Sequence, residues 1–93
     1  MIKTLRGKIS KDVWKRKFVK KLLVIQPEAW ESLSLLDSIG SLEQLKKIPS
    51  INLHKLTGDR EKQWAFWVVK TKYRVCFYWK DGNAYDVEIV DYH

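Results

Sequence analysis

Apolar residues in the first half of the chain recur at helical intervals. Trp14, Phe18 and Leu22 follow one another at i, i+4 and i+8 with Val19 and Leu23 beside them, while Lys15, Lys17, Lys20 and Lys21 fall mainly elsewhere on the wheel. That spacing predicts an amphipathic helix with a basic face, running from about Ser10, its N-cap, to Val24. Pro27 stands where a first helical turn tolerates it, Glu28 and Glu31 sit near the positive end of the dipole, and Trp30, Leu33 and Leu36 make an apolar stripe. A second helix over about 27–39, closed by Gly40, is therefore expected. Ser41-Leu42-Glu43-Gln44 has the form of a capping box and opens a short third helix that Pro49 ends. Ile2 to Leu5 reads as a short opening strand.

From Gln63 the period changes from helical to alternating. Trp64 to Val69 is almost unbroken apolar sequence, and Tyr73, Val75, Phe77 and Trp79 then alternate with Arg74, Cys76, Tyr78 and Lys80. Lys80-Asp81-Gly82-Asn83 is a hairpin signal, because Asp-Gly accepts the positive φ angles of a tight turn, and Tyr85, Val87 and Ile89 alternate after it. The plan is α+β: an N-terminal strand and two to three helices packed on one face of an antiparallel sheet that ends in a three-stranded meander. Repeats and low-complexity segments do not occur.

Length and composition narrow the class. With 93 residues, 45% of them hydrophobic and 12 aromatic, the chain is expected to be a single domain, 1–93, with a small core. No run approaches the ~18 apolar residues of a bilayer span, and the first residues lack a secretory leader pattern, so a soluble, cytoplasmic protein with no membrane association is expected. The one cysteine, Cys76, has no partner for an internal disulfide, and with two histidines it does not supply a four-ligand zinc site. No metal or cofactor is implied.

Charge is unevenly spread. The net charge is +7, yet residues 1–24 hold nine basic side chains against Asp12 alone, and residues 25–45 hold four acidic side chains and no basic one. A basic end of this kind suits a polyanionic partner, through phosphate neutralisation and counterion release, although it also serves to solvate a helix. Lys15, Lys17 and Lys20 are the natural contacts for RNA.

No phosphate-binding loop, nucleophile elbow or metal-ligand pair is present. The residues able to move protons are His54, in the stretch before the sheet, and His93, preceded by Asp91 and Tyr92. Two imidazoles, a carboxylate, a phenol and several cations are the groups RNA cleavage needs: a base for the 2′-hydroxyl, an acid for the leaving 5′ oxygen and cations for the phosphorane-like transition state. From spacing alone a backbone-bonded loop histidine and a terminal one account for the same residues. Alternation places Asp91 and His93 on the Tyr85-Val87-Ile89 face and Tyr92 on the other. Trp64, Trp67, Tyr73, Tyr78 and Trp79, beside Arg60, Lys62 and Arg74, include at most two or three stacking platforms, because about half of them must face the helices. Cys76 reads as a small buried apolar residue.

Three stretches carry a family resemblance: Asn52-Leu53-His54-Lys55-Leu56-Thr57-Gly58-Asp59-Arg60, Tyr73-Arg74-Val75-Cys76-Phe77, and the run from Asp81 through Val87-Glu88-Ile89-Val90-Asp91-Tyr92-His93. Over about residues 41–93 the sequence resembles the HigB-type toxins, the plasmid maintenance system killer proteins of the RelE/ParE superfamily. The resemblance implies a RelE-like fold and a toxin that enters the ribosomal A site, cuts mRNA during translation and needs no cofactor. By position it assigns His54, Arg74, Asp91, Tyr92 and His93 to the catalytic set, with the histidines as acid or base, Arg74 on the scissile phosphate, Tyr92 at the substrate and Asp91 orienting a neighbour. It also implies a HigA-type helix-turn-helix antitoxin, with operator DNA reached through the complex, and the ribosome with its mRNA as target.

Two departures from the family pattern stand out. Where the family commonly reads His-Pro-Leu-Lys-Gly, this chain has His54-Lys55-Leu56-Thr57-Gly58, so Lys55 is the nearest substitute for a lysine replaced by Thr57. In the next strand Trp67 stands where a basic residue is usual, and a tryptophan supplies no cation; Lys70 or Lys72 would have to. Other functions consistent with the chain are a catalytically weakened A-site blocker or co-repressor, and a gyrase inhibitor of the ParE branch. The Asp91-Tyr92-His93 cluster argues against the last.

Overall fold

The computed structural model describes residues 1–60 and 62–91. Among them are three α-helices, α1 (Lys8–Trp14), α2 (Gln26–Ser38) and α3 (Leu42–Lys46), and four strands, β1 (His54–Lys55), β2 (Trp64–Trp67), β3 (Tyr73–Lys80) and β4 (Asn83–Asp91). The strands form one antiparallel sheet in the order β1-β2-β3-β4. The α+β plan with the helices on one face of the sheet is as expected, and the sheet has one strand more than the meander.

The opening segment lies parallel to β4 through two isolated bridges, Ile2 with Ala84 and Leu5 with Val87, rather than as a regular strand. It still satisfies the β4 edge: the amides of Ala84 and Val87 donate to the carbonyls of Met1 (2.9 Å) and Thr4 (3.1 Å). The Ile2 amide donates to Asp37 Oδ1 at 2.8 Å, tying this edge to α2.

The long helix expected over 10–24 is broken. α1 ends at Trp14, and Arg16 takes a left-handed φ of 61°. The Lys17 amide reaches back to the Asp12 carbonyl (2.8 Å) and the Arg16 amide to Val13 (2.9 Å), the pair of bonds that defines a Schellman ending. The reason lies in which face is buried. Ser10 and Val13 point into the core, so a continued helix would carry Lys17 and Lys20 inward at the next turns. The chain instead breaks, and a 3-10 turn at Lys20–Leu22 buries Leu22. Ser10 is not the N-cap but an interior residue of α1, and its hydroxyl accepts the Ile89 amide of β4 at 2.8 Å.

α2 and α3 form where the pattern places them. Gln44 Oε1 accepts the amides of Gly40 (2.6 Å) and Ser41 (3.2 Å), closing the start of α3. The core between helices and sheet is built from Val13, Leu22, Leu33, Leu36, Leu45, Phe66, Val75, Phe77 and Val87, with Phe66 and Phe77 edge-to-face at 6.0 Å.

β2 is shorter than the apolar run 64–69, because Val68 and Thr71 join a turn that leads into β3. The β3–β4 hairpin turns on Asp81 (φ 52°) and Gly82 (φ 80°), both positive as a two-residue primed turn requires. A bulge then disturbs the alternation: Tyr78 pairs with Tyr85 but Cys76 pairs with Glu88, so β4 has one extra residue opposite β3. Asp86 takes it up at φ 49°, with its amide on Thr4 Oγ1 at 2.7 Å. Tyr85 consequently sits across from Tyr78 on the side away from the helices, while Ala84, Val87 and Ile89 are buried. No helix among the described residues is long and apolar enough to cross a membrane.

Candidate active site

The face of the sheet opposite the helices gathers the groups with chemistry. Directly paired residues share a face, and the register places His54 opposite Ala65, Ala65 opposite Cys76, Cys76 opposite Glu88, Trp67 opposite Arg74 and Arg74 opposite Val90. Leu56, Ala65 and Cys76, with Val90 packed on them, make a small apolar floor. Charged groups surround that floor.

His54 is in β1, an edge strand of two residues, rather than in a loop. Before it, Asn52 adopts the left-handed conformation (φ 49°, ψ 58°) at the end of the 3-10 turn Pro49–Ile51. This aims the Asn52 carbonyl at His54 Nδ1, 2.7 Å away. A carbonyl oxygen only accepts, so Nδ1 carries the proton, and the tautomer this contact selects has its lone pair on Nε2. His54 lines a groove of about 390 Å³ with Lys55, Leu56, Thr57, Asp59 and Arg60. A smaller groove of about 210 Å³ adjoins it through Asp59 and Arg60 and extends to Arg6 and Tyr78.

Arg60 is held by two partners. Its Nη1 donates to Gln63 Oε1 at 3.0 Å, and its Nη2 pairs with Glu88 Oε1 at 3.1 Å. Gln63 is itself buried. Glu88 belongs to this face and was not singled out in the sequence; its position opposite Cys76 on an alternating strand is the signal that locates it. Arg74 lays its guanidinium over the Trp67 ring, 4.6 Å from the centroid. Trp67 thus lies beside a cation and is 38% exposed. Tyr78 is the other exposed aromatic on this face, whereas Tyr73 is buried and Trp64 and Trp79 pack against the core.

His54 and Arg74 are two strands apart and offset by two residues, which places their Cα atoms roughly 12 Å apart by standard sheet spacings. Asp91 is set differently, opposite Tyr73 on the helix-side face, with one carboxylate oxygen 3.8 Å from Lys72 Nζ. Tyr92 and His93 lie outside the described residues. Lys55 pairs with Trp64 on the helix-side register, with its ammonium 5.9 Å from that ring. Lys70 is exposed in the β2–β3 turn, and Lys15, Lys17 and Lys20 are exposed in the helical layer behind the sheet.

Cys76 is fully buried, and burial pushes its thiol above the ordinary value, with nearby Arg60 partly opposing. It is a packing residue, as the sequence suggests. Among the described residues no cluster of His, Cys, Asp and Glu is placed to hold a metal ion.

The chain is similar to endoribonuclease HigB of Proteus vulgaris, with 32% identity over 62 residues. The matched stretch makes up 61% of this chain and 66% of that protein, just under two thirds of its length. No family model matches the chain.

Proposed function

We propose, on the premise that this chain is a distant HigB-type toxin, that it is the toxin of a toxin–antitoxin pair and a ribosome-dependent endoribonuclease with a RelE-like fold. The observation that carries the reading is the imidazole of His54, its tautomer set by the Asn52 carbonyl at 2.7 Å, on the same face as Arg74 and Arg60. An mRNA strand across this face meets a proton acceptor, two guanidinium groups and an exposed indole.

The chemistry follows from these groups. One histidine takes the proton of the 2′-hydroxyl as its oxygen attacks phosphorus, and the other gives a proton to the 5′ oxygen as the P–O5′ bond breaks. A 2′,3′-cyclic phosphate and a 5′-hydroxyl end result, and both histidines exchange roles in protonation. His54 and His93 fill these positions. Arg74 bears on the phosphate oxygens as charge builds up, and Trp67, whose ring braces Arg74, offers a face for an unpaired base. Tyr92 contacts substrate, and Asp91 positions a neighbour rather than the phosphate, consistent with its place opposite Tyr73.

Lys15, Lys17 and Lys20 attach the protein to ribosomal RNA from the helical side, while Lys55, Arg60, Lys70 and Lys72 steer RNA toward the sheet. The antitoxin is of the HigA type. His54→Ala is expected to lower cleavage of a ribosome-programmed mRNA by about 10²–10⁴-fold, and Arg74→Ala by about 10²–10³-fold. Charge reversal at Lys15, Lys17 and Lys20 is expected to weaken ribosome cosedimentation in a salt-dependent way. Unchanged cleavage by both single variants refutes the site.

A further inference from the structure

The break after α1 leaves an apolar groove that RNA cleavage does not use. Val13, Phe18, Leu23, Pro27 and Trp30 line it with Arg16, and it encloses about 420 Å³. Phe18 is 70% exposed, Leu23 62% and Val24 86%, three large apolar side chains within seven residues. We propose that this groove receives an acidic amphipathic segment of a partner protein, its apolar side against Phe18, Leu23 and Trp30 and its carboxylates against the surrounding cations.

Three features carry the inference. The first is that the exposure is built in. The Schellman bonds of Arg16 and Lys17 fix the turn, and Gln26 clamps the segment that follows, accepting the Val19 amide at 2.9 Å and donating to the Lys17 carbonyl. Phe18 lies between those two clamped residues and is held outward. The second is charge. Arg16 lines the groove and Lys15, Lys17, Lys20 and Lys21 are exposed on the same segment, with no acidic residue between positions 15 and 24; Asp12 is bound by Lys8 at 2.7 Å, and Glu28 and Glu31 of α2 line a different groove with Leu35 and Ile48. An apolar centre within a cationic rim is complementary to a helix with apolar positions on one side and Glu or Asp on the flanks.

The third feature separates a protein from a nucleic acid. Bases need open aromatic faces, and of the two rings that line the groove Trp30 carries the Arg16 guanidinium 4.0 Å above it and stacks against Trp14 at 6.3 Å, which leaves Phe18 alone open to a base. Leu23 and Val24 offer nothing to a base or a phosphate, whereas they suit aliphatic anchors of a helix. The segment covers Lys15, Lys17 and Lys20, so it competes with ribosomal RNA and leaves His54 uncovered. That consequence rests on the proposed function; the groove and its occupant do not.

The test is an NMR titration of the labelled full chain with a synthetic acidic peptide of about five helical turns, bearing Leu and Phe at helical spacing and Glu on the flanks. Saturable shifts of amides between Val13 and Trp30 are expected. The Phe18→Ser/Leu23→Ser double variant, which removes only exposed side chains, is expected to weaken binding by about tenfold or more, while melting like the wild type and keeping its cleavage activity. The proposal is overturned if no saturable shift occurs, if the double variant binds equally, or if a single-stranded RNA moves the Phe18 and Leu23 amides where the peptide does not. Ribosome cosedimentation with and without peptide separates the two readings. A protein that binds the peptide but never sediments with ribosomes keeps the groove and refutes the ribosomal function.

Discussion

Ser10 joins the first helix to the strand that leads into the candidate site, and its removal has a calculable cost. Its side chain is buried, and its hydroxyl accepts the Ile89 amide at 2.8 Å. On this edge of β4 the amides of Ala84 and Val87 are met by the opening segment, and Ser10 takes over where that segment turns away. In Ser10→Ala the Ile89 amide is left buried without an acceptor, a penalty of about 1–3 kcal/mol. For a domain of this size that corresponds to a fall in Tm of roughly 5–20 °C. Denaturant unfolding and differential scanning calorimetry measure it, with Lys11→Ala, exposed on the same helix, as a control expected within about 0.5 kcal/mol of the wild type. Hydrogen exchange at Ile89 should quicken beyond the global change in stability. A loss indistinguishable from that of Lys11→Ala, with Ile89 exchange unchanged, refutes the claim that this bond holds β4. Because Ile89 is two residues before Asp91, the variant should also lower cleavage measured well below its melting point.

Two further outcomes are expected. Burial raises the Cys76 thiol above its ordinary value of 9.0, so above that pH the unfolded chain gives up a proton that the folded chain keeps, and stability falls as pH rises past about 9; Cys76→Ala should flatten that decline, and in native protein the thiol should resist alkylation at pH 8 and react on unfolding. Asn52 holds its carbonyl on His54 from a left-handed backbone (φ 49°, ψ 58°), so Asn52→Gly, which adopts it without strain, should keep most activity, whereas Asn52→Val should lose about tenfold or more; equal activities would refute the orienting role.

What the sequence revealed was local, and what it concealed was set by contacts between distant segments. The Asp81-Gly82 turn, the Gln44 cap and the alternation of β3 depend on neighbours within a few residues, and all three are where the pattern puts them. The stripe Trp14-Phe18-Leu22 was misleading because it lies about one residue's rotation from the face, Ser10 and Val13, that the sheet buries. Arg16 in a left-handed conformation carries no glycine to announce it. The bulge at Asp86 is equally silent, being held by Thr4 from the other end of the chain. At the site, His54, Arg74 and Arg60 were legible as residues, while their common face emerged only from the register of β1 to β4. The Arg60–Glu88 pair, 28 positions apart, needed the fold.

The proposed function, cleavage of mRNA on the ribosome, rests on His54 and His93. Primer extension on a reporter mRNA in reconstituted translation, with wild type, His54→Ala and His93→Ala, each with and without ribosomes, tests it most directly. Cleavage within codons that requires ribosomes and is lost in both variants is the predicted result. Cleavage that persists unchanged in both variants, or intact mRNA with wild-type protein whether translation stalls or continues, would contradict it.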